Sequence, residues 1–152
     1  MNDFDFLVGT WDVINRWRRD FIDESAEWME EFPSVLTSTS HLENRANFSE
    51  CIYPTRGFSA ITLRFYDPKT ELWSDYWASQ RHPGVIAAPV VGRIEDGRGE
   101  FHGADVQDGV PVKVRFIWSD ITANSAEWEQ AMSVDAGKTW ITNWTSSLRR
   151  HS

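Results

Sequence analysis

Apolar and polar residues alternate one for one along most of this chain. Between Leu7 and Arg19, the residues Trp11, Val13, Asn15 and Trp17 fall on one face, with Asp12, Arg16 and Arg18 on the other. That is the period-two pattern of a strand with one buried face. Ala26 to Phe32 repeats it, with Trp28 and Phe32 in phase and Glu30 between them. Val112 to Asp120 shows it most cleanly, with Val112, Val114, Phe116 and Trp118 set against Lys113, Arg115, Ile117 and Ser119. Further strands are predicted over 35–44, 48–53, 58–66, 72–79, 89–95, 99–106, 128–134 and 140–148, and no sustained helical period interrupts them.

The breaks between these segments are short and carry turn chemistry. Asp67-Pro68-Lys69-Thr70 combines a proline with preset φ and an aspartate that bonds its own backbone. Asp96-Gly97 and Asp108-Gly109 supply the positive φ that two-residue hairpins require. Pro54 to Gly57, Pro83-Gly84 within the loop 80–87, and Gly137 mark further turns. Pro33 is expected to weaken or end the strand before it, because it cannot donate to a ladder.

About ten strands with short connections favour a meander in which each strand pairs with the next. Closing such a sheet removes its free edges. The expected architecture is therefore a single domain over 1–152 of the all-β class, an antiparallel up-and-down barrel. A β-sandwich is the alternative.

The opening Phe6-Leu7-Val8-Gly9-Thr10-Trp11-Asp12 resembles that of the calycin-like, lipocalin-type domains of the domain of unknown function 1579 group and its relatives. The resemblance continues through Thr62 to Pro68 with Trp73, Tyr76 and Trp77, then Val90 to Arg93 with Asp96 to Phe101. Arg115 to Ile121, Trp128 to Ala131 and Asp135 to Trp144 complete it. It implies a calycin-like barrel with Trp11 plugging one end, and it implies no activity. A haem-binding relative shares the Gly-x-Trp start, but no histidine late in this chain is placed as its proximal ligand, so no cofactor is expected.

Composition narrows the function. Nine Trp and nine Phe in 152 residues exceed what an ordinary core needs, and they point to rings filling a barrel or walling a cavity. A net charge of −8, with basic residues scattered, disfavours nucleic acid and anionic membrane surfaces. No apolar run reaches the roughly 18 residues of a membrane helix, and the start is not that of a signal peptide. One cysteine, Cys51, allows no internal disulfide, and its expected place is a small buried core position. The expected compartment is the cytoplasm.

The predicted inner face carries Trp11, Val13, Trp17, Trp28, Phe32, Val114, Phe116 and Trp118, then Trp128, Met132, Val134, Trp140, Trp144 and Leu148. Asn15, Glu30, Gln130, Thr142 and Ser146 share its phase, which implies an internal polar network or a cavity that orients a ligand. The leading expectation is a binding barrel for a small, largely apolar or aromatic molecule. Trp17, Trp77, Trp118 and Trp144 would hold it, with Asn15, Glu30 and Gln130 orienting it. Trp77 enters although the 72–79 strand has aromatics on both phases.

The rival is a cofactor-independent enzyme of cyclase or isomerase type, with Glu30 or an inward His41 as the acid–base group. A packed interaction module is the third reading. The four histidines show no metal-ligand spacing, and neither a nucleophile elbow nor a phosphate-binding glycine pattern occurs. Ile14, Ile117 and Ile141 face outward and leave room for a homodimer.

Overall fold

The computed structural model describes residues 3–151, and over them the alternation becomes a closed antiparallel barrel. A single 3-10 turn, Asp5–Leu7, precedes β1 (Gly9–Trp17), β2 (Phe32–His41), β3 (Ala46–Tyr53), β4 (Phe58–Asp67) and β5 (Leu72–Ser79). Then follow β6 (Val90–Glu95), β7 (Arg98–Gln107), β8 (Val110–Ser119), β9 (Ser125–Ser133) and β10 (Ile141–Arg150). Each strand pairs with the next, and β10 returns to β1 with Val13 opposite Leu148. The sheet has no free edge, as the meander predicted, and the sandwich alternative is excluded.

The hairpins sit where their residues require. Asp96-Gly97 and Asp108-Gly109 each adopt positive φ at both positions and join β6 to β7 and β7 to β8 as two-residue turns. At the β4–β5 turn, Asp67 Oδ1 accepts from Lys69 N at 2.8 Å.

One end of the barrel is plugged. Phe4, Leu7, Trp11, Trp73, Phe101 and Trp118 are all buried there, and Phe4 meets Trp73 edge-on at 5.1 Å. The plug fixes the roles of Gly9 and Trp11. Arg150 lays its guanidinium over the Trp11 ring at 4.3 Å and donates to the carbonyls of Val8, Phe6 and Ala123. A Cβ at Gly9, where φ is +122°, would lie 2.6 Å from Arg150 Nη1. Trp11 itself donates to Leu7 O at 2.8 Å.

Several expected placements are corrected. The segment 26–32 is not a strand of its own: only a single bridge, Arg18 to Trp28, forms there, and Phe32 already belongs to β2. Pro33 does not end a strand but sits second in β2, exposed, where β2 has not yet met β3. Trp28 faces Arg16 and Arg18 rather than the interior, and Trp140 packs outside against Arg115 and His102. Val134 is exposed because β9 has ended at Ser133. Ile117 is buried although it alternates outward, being flanked in register by Glu100 and Glu129.

Candidate functional site

The half of the barrel away from the plug is not filled. A cavity of about 980 Å³ runs from its middle to the loops 18–31, 80–89 and 108–109. Its wall is layered because inward positions of successive strands fall at similar heights along the axis.

The outer layer is an aromatic collar. Trp144 is its hub, with its ring 5.3 Å from Trp17, 5.5 Å from Trp128, 5.9 Å from Trp77 and 6.2 Å from Tyr53. These partners lie on β1, β9, β5 and β3, so the Trp144 ring reaches across the lumen. A bulge permits this: β10 holds one extra residue, Asn143, between Thr142 and Trp144. Arg56 and Arg81 cover the outer rings, Arg56 at 4.4 Å over Phe32 and Arg81 at 5.0 Å over Phe58.

Beneath the collar lies a polar belt. Asn15 is fully engaged: it donates to Ser34 Oγ and Phe32 O and accepts from Ser146 Oγ at 2.7 Å and Trp144 Nε1 at 3.3 Å. Its amide thus holds the Trp144 ring in place. Gln130 donates to Asn143 Oδ1 at 2.9 Å, and Asn143 donates to Phe21 O, tying the belt to the 18–31 segment. Arg18 secures that segment through Thr142 O, Glu24 O and Ala26 O.

On the opposite wall stands a charged pair. Arg64 and Asp75 are the only charged side chains fully buried among the described residues, at 4% and 5% exposure. Arg64 Nε donates to Asp75 Oδ2 at 3.2 Å, and Nη1 donates to Asn47 Oδ1 and Ser49 Oγ, both at 2.8 Å. Nη2 makes no hydrogen bond among the described residues. The guanidinium rests 4.9 Å above the Phe4 ring, on the plug. Burial pushes the Asp75 carboxyl up to about 6 against the opposing pull of Arg64. Burial also pushes the nearby Cys51 thiol up to about 11, which makes it an inert wall group rather than a nucleophile. The indole nitrogens of Trp17 and Trp118 are buried without a hydrogen-bond partner among the described residues.

The sequence-predicted residues separate cleanly. Asn15, Trp17, Trp77, Trp118, Gln130 and Trp144 all line the cavity, and Trp77 settles which phase of β5 points inward. Glu30 and His41 do not. Glu30 is exposed in irregular chain before β2, so its apparent phase with Trp28 and Phe32 had no strand beneath it. His41 ends β2 at the plugged end, exposed, stacked on Phe48 and bonded to Thr39. The expectation that either faces the interior is overturned. Arg64 and Asp75 were missed. The available signal was their phase: Arg64 alternates with Thr62 and Ala60, and Asp75 lies between Trp73 and Trp77. Among the described residues no cluster of metal-ligating side chains occurs, and no helix is long and apolar enough to cross a membrane.

A closed ten-stranded up-and-down barrel, plugged at one end and hollow at the other, is a calycin-like barrel. No model of a known protein family matches the chain, and neither does any curated protein. Among solved structures, an S-type phycobiliprotein lyase from Guillardia theta matches 98% of this chain and 90% of its own, at 15% identity and a TM-score of 0.40. At that distance the likeness carries no inference about ligand or activity.

Proposed function

We propose that this protein binds a small, largely apolar or aromatic molecule inside the barrel. The observation that carries the reading is the cavity itself: about 980 Å³, closed below and ringed by Trp17, Trp77, Trp128 and Trp144. An enclosed aromatic wall with a few convergent polar groups suits a small-molecule site. It is a poor design for a packed interaction module, which would fill that volume. Asn15 serves by holding Trp144 against the ligand, and Gln130 presents its amide to the same space. Placement of the chain with the domain of unknown function 1579 group belongs to this proposal and rests on the Phe6 to Asp12 opening and the segments that resemble it.

One observation favours a second reading, a cofactor-independent enzyme acting on the bound molecule. Asp75, not Glu30, is a carboxyl inside the cavity whose proton is held near neutrality.

Titration with N-phenyl-1-naphthylamine, a neutral aromatic probe, tests the binding reading. Saturable quenching of the tryptophan fluorescence is expected, weakened in a folded Trp144→Ala variant. Absence of any saturable response from the folded protein, with neutral aromatic and polyene probes alike, contradicts it.

A further inference from the structure

Resting on that reading, we infer that the natural ligand is a carboxylate-headed amphiphile, its anionic head seated on Arg64 at the cavity floor and its apolar body among the collar rings. The guanidinium is incompletely used. Its single contact with Asp75 is one bond at 3.2 Å, not the paired fork of a full Arg–carboxylate bridge, and Nη1 is spent on two neutral oxygens. Nη2 has two N–H groups and no hydrogen-bond partner among the described residues, and Arg64 lines the cavity. A buried guanidinium with free donors at the end of an apolar pocket selects a planar oxyanion over a neutral tail. Asn15 in the polar belt does not compete for that head, since it has already committed both its donors and both its acceptor positions.

Asp75 makes this seat proton-linked. Its second oxygen, Oδ1, accepts no hydrogen bond among the described residues and Asp75 lines the cavity, so an arriving carboxylate meets it directly. With Asp75 ionised, the pair is already neutral and a second carboxylate is repelled. With Asp75 protonated, Arg64 stands alone, and the new acid O–H donates to the ligand. Binding of the anion therefore takes up one proton, and Asp75 is poised for it at about 6. The groups facing Asp75 leave it as the one that titrates there. Beside it on β4 is the Arg64 guanidinium, while burial keeps Cys51 and Tyr53 on β3 protonated. Across β5, the paired β6 offers Val90 and Gly92, and the plug below offers Phe4 and Trp118.

The test compares a conjugated polyene fatty acid with its methyl ester on the full chain, by fluorescence titration at pH 6 and pH 8. The acid is expected to bind at least about tenfold tighter than the ester at pH 6. Its affinity falls by about tenfold or more at pH 8, as Asp75 ionises. The affinity of the ester stays level. Asp75→Asn, which keeps an acceptor for Arg64 Nε, is expected to bind the acid tightly at both pH values. Equal affinity for acid and ester overturns the inference and leaves the apolar-ligand reading intact. A pH-independent acid affinity in the wild type overturns the Arg64–Asp75 seat. Failure of acid, ester and neutral probe together overturns both readings.

Discussion

Asp75 Oδ2 accepts from Arg64 Nε at 3.2 Å with both side chains buried at the floor of the cavity, so the protein holds an ion pair largely stripped of bulk water. Desolvation outweighs the attraction of Arg64, and the carboxyl moves up rather than down. The pair is a feature the fold tolerates, not one that holds it together.

That sign gives the first prediction. An acid whose folded pKa lies above its unfolded value adds stability below the unfolded pKa and loses it as pH rises through the folded one. For Asp75 the window runs from the ordinary 3.8 to about 6. The loss across it is roughly 3 kcal/mol. Urea unfolding of wild type and Asp75→Asn should give a stability difference that drifts against the wild type over that window and is flat above it. A constant difference throughout contradicts the placement of Asp75.

Gly9→Ala is predicted to destabilise by about 2 kcal/mol, combining a strained φ with a clash against Arg150. Gly57→Ala is the control, since φ there is +71° but the space around it is open. It should lose distinctly less in the same thermal or urea melts.

Arg18→Met removes three bonds to backbone carbonyls and the stacking on Trp28 at 4.6 Å. About 1–2 kcal/mol of local stability should go with them. Amide exchange should accelerate at Arg19 and Met29, whose N–H groups bond to Glu27 O and Trp17 O. The β7–β8 ladder should keep its protection.

Trp144→Phe keeps a ring in the lumen but drops the bond to Asn15 Oδ1. A loss of about 1 kcal/mol is expected. Trp144→Ala empties the centre of the collar and should cost about 3 kcal/mol or more. The ordering of the two in urea melts checks whether Trp144 bridges the lumen.

The strands and their closure were legible in the sequence because one-sided burial in a meander leaves a strict period of two. Asp-Gly at 96–97 and 108–109 further fixed two of the turns. The same rule misled at 26–32, where Trp28, Glu30 and Phe32 alternate by chance in a segment held by Arg18 rather than by a sheet. The collar residues were readable because Trp17, Trp128 and Trp144 sit in phase with buried neighbours. Arg64 and Asp75 were not, since a charged residue on an apolar phase reads as a register error until its partner on the adjacent strand is seen. Cross-strand registry brings the two together: Arg64 faces Asp75 directly across β4 and β5.

The most direct measurement is the set of indole N–H signals in a proton–nitrogen correlation spectrum, followed while the neutral aromatic probe is added. The barrel-cavity account predicts that Trp17, Trp77, Trp128 and Trp144 shift together and saturate. Trp11 beneath Arg150, and Trp28 and Trp140 on the outside, should stay in place. Shifts confined to Trp28 and Trp140 would put the ligand on the outer surface and contradict the account.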